Sequence, residues 1–127
     1  MVYLIDTHAI LWMMFAPQKV SQRARDIFAD NKLYKFISVT SLWEIAIKNR
    51  IGKLPLEHDL TKVFEKIDAL GVGQIGILPQ HIETFNKLPL SHRDPFDGII
   101  IARAIYKGIT IITDDENIQK YDVKWVW

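Results

Sequence analysis

The stretch Val2-Tyr3-Leu4-Ile5-Asp6 sets a four-residue apolar run directly before an acid. Brief β-branched runs bounded by polar residues read as buried strands. The pattern recurs at residues 35–39, 108–112 and 123–126, and at 76–78 after the glycine-punctuated Gly71-Val72-Gly73. The intervening segments have helical spacing. Residues 21–30 put Ala24, Ile27 and Phe28 on one face, 41–49 carry Leu42, Ile45 and Ala46, and 60–70 carry Val63, Phe64 and Ile67. Residues 79–88 present Ile82 and Phe85, while 95–106 are apolar nearly all round, as a buried central helix requires. Strands alternating with helices imply right-handed crossovers. The expected fold is therefore α/β: one domain over residues 1–127, with a mostly parallel central sheet of about five strands covered by helices on both faces. Gly52-Lys53-Leu54-Pro55 reads as a turn inside that domain, because helical patterning resumes soon after.

A chain of 127 residues suits one domain and buries enough core to fold without a disulfide or structural metal. Hydrophobic residues at 49% and charged residues at 24% argue against disorder. Sixteen Lys+Arg against fifteen Asp+Glu exclude a strongly basic nucleic-acid coat and an acidic tail, so any nucleic-acid contact must come from local patches. The lack of cysteine excludes disulfide scaffolds, thiol nucleophiles and cysteine metal sites, and it fits a reducing cytoplasm. MVYLIDTHAI lacks the basic start and long apolar run of a signal peptide, and no apolar run reaches the length of a membrane span, so no membrane association is expected.

The carboxylates fall in a telling pattern. Asp6 directly follows the first strand, and Glu44 lies in the expected first turn of the helix after residue 39. Asp94 and Asp97 open the apolar helix, and Asp114 and Asp115 follow Ile111-Ile112. A parallel sheet gathers its strand C-termini on one edge, where ligands bind. Acids crowded there would repel and raise each other's pKa, which a hard divalent cation relieves. Oxygen donors, without cysteine or paired histidines, favour Mg²⁺ or Mn²⁺ over Zn²⁺. Each acid alone also suits a helix cap. Ser41-Leu42-Trp43-Glu44 matches a capping box, and Asp94-Pro95 an N-cap with proline at N1 and Asp97 at N3. Asp6 or Thr7 suits the start of a first helix, and Asp114 or Asp115 the segment 116–120. The coincidence of side favours a site, since a cap is served equally well at any helix start.

Several blocks in order resemble PIN-domain ribonucleases, specifically VapC-type toxins of prokaryotic toxin–antitoxin pairs. They are Leu4-Ile5-Asp6-Thr7-His8-Ala9, then Ser38-Val39-Thr40-Ser41-Leu42-Trp43-Glu44-Ile45-Ala46-Ile47-Lys48 with Gly52-Lys53-Leu54. His92-Arg93-Asp94-Pro95-Phe96-Asp97 and Ile101-Ala102-Arg103-Ala104 follow, and Ile112-Thr113-Asp114-Asp115 closes the set. By position the resemblance implies that Asp6, Glu44 and Asp97 are catalytic metal ligands. The fourth acid of the family stands two residues after a Thr or Ser, which selects Asp115 over Asp114. Thr7 and Thr113 would hydrogen-bond ligands or phosphate, and Asp94 would cap beside the site. The implied activity is Mg²⁺- or Mn²⁺-dependent cleavage of single-stranded RNA or an RNA loop by metal-activated water, which needs no Ser, Cys or His nucleophile. A homodimer and a cognate antitoxin protein are the implied partners. Gly98 is a departure, since relatives often carry Arg after the motif acid.

The remaining residues carry weaker signals. His8, His58, His81 and His92 show no metal-binding spacing. Trp12-Met13-Met14-Phe15 and Trp125-Val126-Trp127 read as core packing or as a partner face. Lys48, Arg50 and Arg93 lie near the acids and are the first candidates for RNA phosphate contacts. A non-catalytic PIN-like module binding RNA or protein is the alternative. A phosphatase or phospho-acceptor domain fits poorly, because Asp6-Thr7-His8 lacks a second acid and Thr113-Asp114-Asp115 supplies acid where lysine is needed.

Overall fold

A computed structural model describes residues 1–54, 59–89 and 94–127. Among these, five strands form one sheet: β1 (Val2–Ile5), β2 (Tyr34–Ser38), β3 (Gly73–Ile75), β4 (Thr110–Ile112) and β5 (Trp125–Val126). The order is β3-β2-β1-β4-β5 and every pair is parallel, so the expected α/β fold stands and its sheet is wholly rather than mostly parallel. The chain runs outward from β1 to β3, then crosses back to β4 on the other side of β1. That reversal opens a crevice at the C-terminal ends of β1 and β4.

The helices are α1 (Thr7–Phe15), α2 (Gln22–Ala29), α3 (Val39–Arg50), α4 (Leu60–Ala69), α5 (Pro79–Asn86), α6 (Pro95–Lys107) and α7 (Glu116–Gln119). Alternation along β1 divides the core into two layers. Tyr3 and Ile5 pack with Ile10 of α1, Ile27 of α2, Ile45 of α3 and Ile67 of α4. Leu4 packs on the opposite face with Ile100 and Ile101 of α6 and Ile118 of α7. Each fully buried aliphatic side chain contributes about 1.5–3 kcal/mol. Lys35 is also buried, donating from Nζ to the carbonyls of Phe28 (2.8 Å) and Asp30 (3.1 Å) at the end of α2. It thereby satisfies carbonyls that the helix leaves unpaired.

Several boundaries differ from the sequence reading. The third strand is Gly73–Ile75, not 76–78. A Cβ on Gly73 would lie 2.9 Å from the Phe36 ring, so the glycine is what lets this strand pair beside β2. Ile77 and Leu78 are instead exposed beyond it. Residue 39 belongs to α3, because the Ser38 side chain accepts from Thr40 N and starts the helix there. Gly108 does not open β4. It closes α6 in the left-handed conformation (φ +66°), which favours glycine. β5 begins at Trp125, two residues after the expected start. Among the described residues no helix is long and apolar enough to cross a membrane.

Candidate active site

Asp6 leaves β1 at the crevice and is 1% exposed. It stands at the N-cap of α1 without making a side-chain cap bond, so the capping alternative does not explain it. Its Oδ2 accepts from Thr113 Oγ1 at 2.9 Å, which ties the end of β1 to the end of β4. Its Oδ1 is buried with no hydrogen-bond partner. Burial raises the Asp6 pKa, and the nearby Asp115 carboxylate adds to the rise. The Thr113 bond and the neighbouring His8 oppose it without cancelling it.

Glu44, also 1% exposed, reaches the same region from the second turn of α3. The expected capping box is overturned here, because Ser38 starts the helix and Ser41 lies inside it. The Thr7 hydroxyl lies 2.8 Å from both Glu44 Oε1 and Ser41 Oγ. One hydroxyl proton serves one acceptor, and the carboxylate is the stronger, so Thr7 donates to Glu44 and Ser41 donates to Thr7. The other carboxylate oxygen, Oε2, accepts from Lys48 Nζ at 2.6 Å. Burial acts to lower the Lys48 pKa. The Glu44 bond and the carboxylates of Glu44, Asp94 and Asp97 together outweigh it and hold the ammonium above its ordinary value.

Asp97 is 6% exposed in the first turn of α6. Asp94 caps that helix as expected, accepting from Phe96 N (2.9 Å) and Asp97 N (3.4 Å). This leaves the Asp97 side chain as the one α6 contributes among buried acids. Asp115 caps α7 through Asn117 N at 2.8 Å, and its own N–H donates to Thr113 Oγ1 at 3.0 Å. Thr113 therefore links Asp6 and Asp115 directly. Asp6, His8, Trp12, Asp114 and Asp115 line a cleft of about 230 Å³ beside β1 and β4, with Asp114 more exposed than Asp115.

Thr113 thus links Asp6 and Asp115 at the ends of β1 and β4, Thr7 ties to Glu44 of α3, and the Lys48 ammonium paired with Glu44 feels the charges of Asp94 and Asp97. Among the described residues no three acidic or imidazole side chains are close enough, as they stand, to grip one ion. The Lys48 ammonium pairs with Glu44 instead. Arg50 is exposed at the end of α3. Arg93, His92 and His58 fall outside the described residues. The Lys48–Glu44 pair was legible as an i,i+4 spacing. The Ser41–Thr7 tie was hidden behind the apparent capping box.

Two further residues resolve differently from their sequence reading. At Gly98, a Cβ would lie 2.4 Å from Phe85 Cε2, so the ring of α5 occupies the space that a side chain after the motif acid would need. The aromatic cluster of α1 packs largely inward, with Trp12 edge-on to Trp127 at 5.8 Å. Phe15 and Trp125 of these clusters stay exposed, and further exposed apolar surface lies in a groove of about 400 Å³ lined by Trp43, Ile77, Ile82, Phe85 and Phe96.

A PIN domain family model matches residues 3–124. The chain is 30% identical to Ribonuclease VapC22 of Mycobacterium tuberculosis over 122 residues, 93% of this chain and 90% of that protein. Its fold is similar to a chain of VapBC2 from Rickettsia felis bound to a DNA fragment from their promoter, with TM-score 0.76, 13% identity and coverage of 99% and 98%. It is also similar to a chain of DNA-bound VapBC from Salmonella typhimurium, with TM-score 0.76, 14% identity and coverage of 99% and 97%.

Proposed function

The chain belongs to the PIN-domain family, in its VapC-type branch, and from that premise we propose that it is a divalent-cation-dependent endoribonuclease, the toxin of a VapBC-type pair. The observation that supports this reading is that Thr113 links Asp6 to Asp115 at the ends of β1 and β4, while Thr7, next to Asp6, holds Glu44, whose Lys48 partner feels the charge of Asp97. Three of these acids are buried, where uncompensated carboxylates are costly.

The residues present fit a hard cation. Asp6 Oδ1 is a buried oxygen without a partner, and the donors are carboxylates throughout. Asp6 and Asp97 are assigned to hold Mg²⁺ or Mn²⁺, with Glu44 and Asp115 as further ligands or as bases that position water. The cation, when bound, would lower the pKa of a water and neutralise charge on the scissile phosphate. Thr113 fixes the rotamer of Asp6, and Thr7 that of Glu44. Lys48, Arg50 and Arg93 are the basic residues assigned to RNA phosphates. The non-catalytic alternative leaves this investment of buried acids unexplained.

The proposed partners are an RNA substrate, a cognate antitoxin and a second copy of the chain, and the reading requires the cytoplasm. The relatives in the VapBC assemblies support the antitoxin. The apolar groove at Trp43 and Phe85 supplies surface of the kind that partners cover. The test is cleavage of single-stranded RNA by the parent and by Asp97→Asn, with Mn²⁺ and with EDTA. Cleavage should need the cation and be lost in the variant. A folded Asp97→Asn protein that cleaves at the parent rate would overturn the assignment.

A further inference from the structure

Resting on the reading above, we propose that Lys48 is a built-in counter-ion that competes with the divalent cation for Glu44 and so sets how tightly the site takes its metal. The 2.6 Å contact is not an ordinary surface pair. In an exposed i,i+4 pair both partners are solvated and contribute little. Here Glu44 is 1% exposed and its Oε1 already accepts from Thr7, so Lys48 holds the oxygen that remains. Asp94 and Asp97, from a different helix, act on the same ammonium. Lys48 therefore sits where the fields of three acids converge.

The two partners differ in freedom. The Lys48 side chain is 32% exposed, so its four-carbon stem can swing to water, while Glu44 is fixed between α1 and α3. A cation approaching Glu44 Oε2 meets the positive charge of Lys48 at contact distance and must displace it. In the metal-free protein the same ammonium compensates a carboxylate that burial would otherwise leave unpaired.

The experiment is calorimetric titration of the whole chain with Mn²⁺, comparing the parent with Lys48→Met and Lys48→Arg, alongside melting in EDTA. Lys48→Met should bind Mn²⁺ about tenfold more tightly, as one opposing charge is removed from a partly screened site. It should also melt lower than the parent in EDTA and gain more from Mn²⁺, and Lys48→Arg should stay near the parent. Should Lys48→Met fail to fold in chelator, Lys48→Gln carries the same comparison, because its amide still donates to Glu44 without charge. Equal or weaker Mn²⁺ binding by the uncharged variant overturns the proposal and leaves the nuclease reading intact. A parent that binds no Mn²⁺ brings down both.

Discussion

Thr113 donates a 2.9 Å hydrogen bond to Asp6 Oδ2 from 107 residues away in the chain, while Asp6 Oδ1 stays buried without a partner. Burial, opposed by this bond, leaves the folded-state pKa of Asp6 above the ordinary aspartate value of 3.8. The folded protein thus holds that proton more tightly than the unfolded chain. Its contribution to stability is complete below the unfolded value and is lost as pH rises through the raised one. At neutral pH the bare carboxylate is a net liability that a cation would relieve. Asp6→Asn should therefore raise the melting temperature of the protein in EDTA at pH 7. It should also remove stabilisation by Mn²⁺ and lower RNA cleavage about 100-fold or more. Thermal melts with and without Mn²⁺ read the first two effects, and a lower melting temperature in EDTA would contradict the account.

Thr7 ties the start of α1 to α3. Thr7→Val removes the hydroxyl between Glu44 and Ser41 and leaves buried Glu44 Oε1 short of a donor and the Ser41 hydroxyl short of an acceptor, which costs about 1–3 kcal/mol. Thr7→Ser keeps the hydroxyl and should recover most of that loss. Urea unfolding compares the pair, and cleavage should follow the same order. Equal stability of the valine and serine variants would show that the hydroxyl holds nothing.

The strands and the acids were readable because each is a local pattern: apolar run, then carboxylate. Asp6 after β1 and the Asp114-Asp115 pair after β4 needed only the rule that parallel strands share an edge, and the family resemblance chose Asp115 of the two. Glu44 was found for its acid, but its helix start was not, because Ser38 and Ser41 both lie ahead of it and only the backbone turn at Ser38 decides between them. β3 was misplaced for a tertiary reason. Ile77 and Leu78 look more strand-like than Gly73-Gln74-Ile75, yet the close approach to Phe36 selects the glycine. Lys35 is buried on carbonyls of α2, a rare place for lysine, and nothing in the local sequence marks those carbonyls as its partners. The field of Asp94 and Asp97 on Lys48 joins two helices and leaves no local trace.

Gly98 is held by Phe85. In an open helix Gly→Ala gains about 1 kcal/mol from propensity alone. Here the new methyl would meet the ring at 2.4 Å, an overpacking that costs about 1–3 kcal/mol and displaces α5 against α6. Gly98→Ala should be destabilising on balance, and Phe85→Leu in the same chain should restore part of the loss. Chemical denaturation of the two single variants and the double variant measures the coupling. A Gly98→Ala protein more stable than the parent would show that the ring gives way freely.

His81 sets an acid limit on stability. It is fully buried at the start of α5, where Nδ1 accepts from Leu78 N at 3.0 Å, and Nε2 has no partner. Arg103 and Lys107 of α6 face it, and the Tyr106 ring stands edge-on at 5.5 Å. Burial first, then the two cations, pull its pKa below 6.5. The unfolded chain therefore binds this proton more readily, and stability falls as pH drops from 6.5 through the lowered value. Protonation also removes the lone pair that receives Leu78 N–H, which loosens the first turn of α5. His81→Gln keeps an acceptor at the position where glutamine completes a capping box, and it cannot titrate. The parent should lose markedly more melting temperature than His81→Gln between pH 7 and pH 5. Parallel profiles for the two proteins would place the acid sensitivity elsewhere.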